Sequence, residues 1–291
     1  MHRYVFCGLG VESELALPLC ASGGIPGGDI RFSLQTSERE PPTESEWIHH
    51  WHFETGEVAL SLGRGGDGFL LRFPDLADFS VGGEFDEIVC VADPGTSAVT
   101  IRQLLLHQVL PRVLSQRGEL MVHASAVTVS DEIIAFLGIS GAGKTTIAQS
   151  LASEGLPLVA DDCLRLAIAP DGEVSGYPSY PGPASGRPLG CEVMGSAPIQ
   201  RLYFLDVQVD DGDAPRIEGL SRRDGMMALT RSAFVMDFES GEALGRVFET
   251  AARVATELEI FGLSYRREYA LLPVVKAAVL GHAAIQRGSE L

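Results

Sequence analysis

Over the first third of the chain, apolar and polar positions trade places every second residue. Trp47, His49, Trp51 and Phe53 alternate with Ile48, His50, His52 and Glu54, the two-residue period of a strand with one buried face. Residues 57–62 and 69–73 are apolar-rich runs, and the glycine-dense stretch 63–68 between them predicts a hairpin loop. Residues 37–46, polar and proline-bearing, predict an exposed loop. Near Ser97 the period lengthens to that of a helix, with Ile101, Leu104, Leu105, Val109, Val113 and Leu114 on one face. Pro111 is expected to kink that helix and Gly118 to stop it.

Beyond Gly118 the apolar runs shorten. Residues 120–122, 125–129 and 133–137 read as strands, with a turn at Asp131 and Glu132, and the last runs straight into a glycine loop. A helix over 144–154 with a stop at Gly155 follows, then a short strand at 156–160 and another at 164–169 closed by Pro170, Asp171 and Gly172. Residues 176–190, rich in proline and glycine, predict a long loop beside the site, in which Tyr177 and Tyr180 suit either lid packing or substrate contact. From Ser221 the pattern is helical apart from one strand about 259–266, with a final helix from Leu272; this tail is expected to cover one face of the sheet. The division that follows is a β-rich N-terminal domain over 1–92 and an α/β domain over 93–291. Residues 133–137 should be buried on both faces, as in a central parallel strand.

Composition narrows the function classes. A net charge of −17 opposes nucleic acid and anionic membrane surfaces, which excludes a basic-groove binder. No apolar run reaches membrane-spanning length, and Glu12 and Glu14 interrupt the start before it resembles a leader, so a cytoplasmic location is expected. Cys7, Cys20, Cys90, Cys163 and Cys191 are too widely spaced for a disulfide framework or a CxxC metal site. Lysine occurs only at Lys144 and Lys276, against 20 arginines.

One of those two lysines lies in Gly138-Ile139-Ser140-Gly141-Ala142-Gly143-Lys144-Thr145, which satisfies G-x-x-x-x-G-K-[ST]. Phosphate oxygens need several convergent N–H donors, and glycine lets the backbone curl so that its amides point inward. The helix that follows adds the positive end of its dipole. Lys144 suits the β- and γ-phosphates of ATP, the Thr145 hydroxyl suits Mg2+, and Thr146 continues the nucleotide-binding run. The strand before the motif and the helix after it supply the required context.

Asp161 and Asp162 close the next short strand. Such a pair is usually a solvated turn or a helix cap. One helix after a phosphate loop, however, two adjacent carboxylates raise each other's pKa unless a cation shares the site. Magnesium would supply it, leaving one carboxylate for metal and one for the proton of an attacking hydroxyl. His123 precedes the loop between two strand runs, where a histidine is more often structural than catalytic. Gly63, Gly65 and Gly68 form G-x-G-x-x-G, but a strand follows rather than a helix, so the dinucleotide reading fails. His50 and His52 share a strand face without a nearby third metal ligand.

The run His123-Ala124-Ser125-Ala126-Val127, the loop Gly138 to Thr146, and Leu158-Val159-Ala160-Asp161-Asp162 together resemble the catalytic domain of HPr kinase/phosphorylase and its smaller relatives. Residues 8–14 are similar to the opening of HPr-kinase-like proteins of peptide-modification pathways. The resemblance implies an α/β fold: a P-loop, phosphoenolpyruvate-carboxykinase-like catalytic domain beside a small β-rich N-terminal domain. It implies Asp161 as general base, Asp162 with Thr145 on the metal, and His123 beside the reacting phosphate with Lys144. Thr145 and Thr146 stand where the family has Ser then Glu, and the glycine-rich signature after the aspartates is echoed only by Leu258-Glu259-Ile260-Phe261-Gly262-Leu263. A relative of HPr kinase is therefore expected rather than HPr kinase itself. The function expected is ATP- and Mg2+-dependent phosphoryl transfer to a serine or similar hydroxyl of a peptide, protein or small molecule. The alternative is a nucleotide-binding switch or scaffold without transfer. Nucleic acid and membrane are not expected partners, and self-association is compatible with the sequence. A phosphoenolpyruvate-carboxykinase-like enzyme would want metal-ligating histidines and lysines that the chain lacks.

Overall fold

The period-two stretches do form strands, and these pair into one eight-stranded sheet. Its members are β1 (His2–Phe6), β2 (Leu9–Ser13), β3 (Ile30–Gln35), β4 (Trp47–His52), β5 (Val58–Gly65), β6 (Gly68–Phe73), β7 (Ala77–Val81) and β8 (Glu87–Ala92), in the order β1-β2-β3-β8-β7-β6-β5-β4. The computed structural model describes residues 1–21, 29–35, 47–179, 195–206, 214–236 and 241–285. The chain forms two units, one of Met1–Gly118 with Val235–Leu244 and one of Glu119–Phe234 with Gly245–Leu291. Residues 93–118, grouped by sequence with the second domain, thus lie in the first unit. The expected loop at 37–46 falls outside the described residues.

Two expectations about the first unit change. The glycine stretch 63–68 is mostly ladder: Gly63 pairs with Leu70 and Gly65 with Gly68, leaving Gly66 and Asp67 as a two-residue turn. Among the described residues β4 stands at one end of the sheet with β5 as its partner, and it has no buried face; Trp47 and Trp51 are half-buried, lying under the guanidinium groups of Arg72 and Arg112. Alternation there reflects cation–π cover on an edge strand rather than a core face. The following helix starts where Ser97 Oγ accepts the Thr100 N–H, and runs as α1 (Ala98–Leu104), a π-helical turn (Leu105–Val109) and α2 (Leu110–Gln116). Pro111 lacks an N–H and crowds the preceding turn, so the ladder widens just before it.

The second unit contains β9 (Leu120–Val122), β10 (Ala124–Val129), β11 (Glu132–Leu137), α3 (Lys144–Ala152), β12 (Leu158–Ala160), β13 (Leu164–Ile168), β14 (Val174–Pro178), β15 (Ala197–Asp206), β16 (Arg216–Gly219), α4 (Arg222–Ser232), α5 (Gly241–Glu257) from Gly245 onward, β17 (Ile260–Ser264) and α6 (Leu272–Ile285). Its sheet runs β12-β10-β11-β15-β14-β13-β9, with β17 beside β15 and β16 beside β17. β10 and β11 are joined by Ser130 and Asp131, both at positive φ, the backbone of a tight two-residue hairpin turn. β11 is parallel to β15, and β15 to β17.

As expected, residues 133–137 are buried on both faces. Ile133, Ala135 and Leu137 join one core with Leu229 of α4 and Val247, Ala251 and Val254 of α5. Ile134 and Phe136 join the other, with Ile147, Ala148 and Leu151 of α3 and Val275, Val279 and Ala283 of α6. The C-terminal helices therefore cover both faces, not one, because α5 and α6 flank β17 in sequence and a parallel strand connection crosses the sheet.

β14 takes up residues 176–178 of the expected 176–190 loop, and residues 180–190 fall outside the described residues. A Cβ on Gly176 would lie 2.7 Å from Ile199 Cδ1 and 2.9 Å from Ile133 Cδ1, so this glycine serves close packing inside a strand rather than loop freedom. Tyr177 lies under the Arg165 guanidinium, 3.9 Å from its carbon. Among the described residues, no helix is long and apolar enough to cross a membrane.

Phe136 stacks on Tyr203 with centroids 5.8 Å apart, and the Tyr203 hydroxyl lies 2.9 Å from His282 Nδ1, while burial pushes the phenol up to about 12. Phe136→Ala is expected to cost about 3–5 kcal/mol, whereas Val99→Ala on an exposed helix position should stay within roughly 0.5 kcal/mol. Urea unfolding followed by far-UV circular dichroism checks this, since both tryptophans lie in the other unit; a near-neutral Phe136→Ala would contradict the two-faced core.

Candidate functional site

β11 delivers the chain directly into the glycine loop, and α3 leaves it at Lys144 with Gly143 as the N-cap residue. Gly138, Gly141 and Gly143 have φ of 141°, 75° and 102°, values that side-chain-bearing residues adopt only with strain. A Cβ on Gly143 would also lie 2.4 Å from the Tyr265 hydroxyl, and one on Gly138 3.0 Å from the Leu205 carbonyl oxygen. That hydroxyl donates to the Ala142 carbonyl at 3.3 Å, and Arg267 donates through Nη1 to the Gly141 carbonyl. The loop is thus clasped from outside by residues just past β17.

Lys144 Nζ donates to the carbonyls of Gly138 at 2.7 Å and Ile139 at 2.9 Å. Burial lowers its pKa, opposed by the charges of Asp162 and Asp161. Both carboxylates therefore act on the lysine that sequence spacing paired them with.

Pairing of β10 with β12 sets Ala126 opposite Ala160, which brings Ser125 beside Asp161. Ser125 Oγ donates to Asp161 Oδ1 at 2.8 Å, and Thr145 Oγ1 donates to the same oxygen at 2.8 Å; the two hydroxyl oxygens are 3.3 Å apart. Asp161 is 6% exposed. Asp162 is exposed and sits at φ 77°, where the chain turns from β12 toward β13. His123 follows β9, whose Val122 pairs with Leu164, so it lies one position beyond that pair, on the Cys163 side. Its N–H donates to the Ser232 carbonyl at 2.6 Å and its ring stacks on Phe234 at 3.6 Å.

Four residues at this site had no role in the sequence reading. Ser125 was visible in the run beginning at His123. Tyr265, Arg267 and Tyr269 carried no local signal, because only the parallel pairing of β17 with β15 brings them to the loop. Together with Arg266, Glu268 and Leu272, and with Gly141, Gly143 and Thr146, they line a cavity of about 530 Å³.

Among the described residues no group of three or more His, Cys, Asp or Glu is placed to hold a metal ion. A magnesium ion bound with a nucleotide does not require one, since it takes one or two protein oxygens and completes its shell with water and phosphate. The Thr145 hydroxyl and the Asp161 and Asp162 carboxylates are oxygen donors of that kind. The glycine conformations and the single ammonium likewise fit a polyphosphate.

No family model matches the chain, and no curated protein matches it. Among solved structures, the chain is similar to the HPr(Ser) kinase/phosphatase from Coxiella burnetii. The identity is 12% and the TM-score 0.35, over 58% of this chain and 94% of that one. A likeness of that size decides nothing about chemistry.

Gly143→Ala is expected to lower the melting temperature, through both the positive φ and the clash with Tyr265. Adding Tyr265→Phe should recover the steric part and leave a backbone penalty of about 1–2 kcal/mol. Thermal melts of the single and double variants measure the coupling, and purely additive effects would rule out the clash.

Proposed function

We propose that the chain binds ATP with magnesium at Gly138, Ile139, Ser140, Gly141, Ala142, Gly143, Lys144, Thr145 and Thr146. We further propose that it transfers the terminal phosphoryl group to a serine or similar hydroxyl of a peptide, protein or small molecule. The observation carrying this reading is the Thr145–Asp161 hydrogen bond at the start of α3, which ties the loop hydroxyl to a carboxylate one strand away. A glycine turn with no ligand would not explain a buried carboxylate aimed at that hydroxyl beside a desolvated lysine.

Lys144 exchanges the carbonyls of Gly138 and Ile139 for phosphate oxygens, which are stronger partners because they are charged. The first amides of α3 add donors and the positive end of its dipole. Thr145 and Asp161 would hold the magnesium ion, which neutralises charge on the phosphates when bound. Asp162, exposed at the turn, accepts the proton of the acceptor hydroxyl as its oxygen attacks phosphorus. This order of duties is the reverse of the one the family resemblance implies, and it follows from which aspartate meets Thr145. A role for His123 beside the reacting phosphate rests on the sequence resemblance alone, since its ring stacks on Phe234. The sequence resemblance to HPr-kinase-like proteins supports the same reaction class, with the acceptor set by chemistry outside the loop.

Asp162→Asn is expected to leave ATP affinity within a few-fold and to lower transfer by about a hundred-fold to ten-thousand-fold. Asp161→Asn should raise the magnesium requirement, because a neutral amide is a poorer ligand for a hard cation. Lys144→Ala should weaken binding and turnover together. Calorimetric titration, magnesium dependence and transfer of labelled phosphate separate the cases. A rate loss confined to Asp161→Asn restores the opposite order of duties, and wild-type transfer in both aspartate variants excludes catalysis by the pair. ATP binding without turnover in the presence of the acceptor would instead favour a nucleotide-dependent switch.

A further inference from the structure

We propose that the cavity outside the loop receives the nucleoside end of the triphosphate, with the Tyr269 ring as the stacking surface for the base, and that the site is nearly indifferent to which purine it holds. This rests on the reading of the loop as a triphosphate site. Within that loop, Lys144 Nζ lies on the Gly138 and Ile139 carbonyls and within the field of both aspartates, which marks where the terminal phosphate belongs. The remainder of the ligand must leave from the other end. Gly141, Gly143 and Thr146 form that end, and they also form one wall of the cavity.

The opposite wall is built from the segment after β17. Tyr265 is held by the Ala142 carbonyl and Arg267 by the Gly141 carbonyl, so the segment is anchored to the loop at two points. Those anchors fix the start of the turn Tyr269–Leu271, which leads into α6. Tyr269 is 84% exposed there, the highest exposure of any large hydrophobic side chain among the described residues. Leu272 adds a second apolar surface beside it. A flat ring at the rim of a phosphate cradle suits a nucleobase, which stacks with little regard to sequence of ring substituents. A volume of about 530 Å³ is in the range of small-ligand pockets.

Selectivity between bases needs a fixed donor and acceptor aimed at the base edge. Among the described lining residues the one carboxylate, Glu268, is engaged by Arg266 at 2.6 Å. Stacking area then sets the preference, which places purines above pyrimidines and adenine level with guanine.

The test compares Mg–ATP with Mg–tripolyphosphate, which has the phosphates and no nucleoside, by calorimetric titration. Tyr269→Ala is expected to weaken ATP by about ten-fold while leaving tripolyphosphate unchanged, and Tyr269→Phe should keep wild-type affinity for both. ATP and GTP should bind the wild-type chain within a few-fold of each other, with UTP and CTP weaker. An unchanged ATP affinity in Tyr269→Ala, or an equal loss for tripolyphosphate, overturns the stacking assignment. A preference above a hundred-fold between ATP and GTP overturns base indifference. The underlying loop reading fails separately: Lys144→Ala would then leave both ligands unaffected, whatever Tyr269 does.

Discussion

A carboxylate that is only 6% exposed has lost most of its hydration, a cost of several kcal/mol unless charge-assisted hydrogen bonds replace the water. Asp161 meets that requirement with two hydroxyl donors on one oxygen, Ser125 from β10 and Thr145 from α3. Three elements are therefore held to a common point: the strand before the hairpin, the helix after the loop, and the short strand that carries the aspartate. β11 reaches the loop between them with both faces covered, so it has little freedom to move the glycines relative to the carboxylate. The arrangement brings the Thr145 hydroxyl and the Asp161 carboxylate together at the start of α3, next to Lys144.

How much of this was legible depends on where each signal lives. The loop, its preceding strand and its helix lie in one continuous stretch, so local spacing sufficed for Gly138 to Thr145 and for the double-faced burial of 133–137. Asp161 and Asp162 were legible because a single helix separates them from the loop. β15 was not, since Gln200 and Arg201 interrupt its apolar run and both are nevertheless buried. Gly176 was misread for a related reason: its composition suits a loop, and only the approach of Ile199 and Ile133 explains it. The same holds for β4, where guanidinium groups rather than core side chains cover the tryptophans.

The clasp on the loop shows a kind of constraint that periodicity does not carry. Gly143 satisfies the motif through its backbone alone, yet the Tyr265 hydroxyl occupies the space a side chain would need. Glycine is thus required twice, by φ and by a neighbour more than a hundred positions away in sequence. That neighbour is brought in by the parallel pairing of Leu202 with Ile260 and the residues after them. The sheet order, rather than the motif, decides what stands outside the glycine loop.

Charge gives the last step. A chain of net charge −17 repels a polyphosphate at long range, and two carboxylates beside the loop would add to that repulsion at short range. Within the cradle the balance is set by nearer sources: the Lys144 ammonium, the amides at the start of α3, and Arg267 on the Gly141 carbonyl. Arg267 also anchors the wall of the cavity, so its cation is fixed at the outer end of the loop while the lysine serves the inner end. With both aspartates at the inner end as well, that end carries one formal negative charge in excess of the lysine. Under the proposed function, that excess of negative charge would favour a ligand that carries a divalent cation with it, so that the metal would take part in recognition as well as in chemistry.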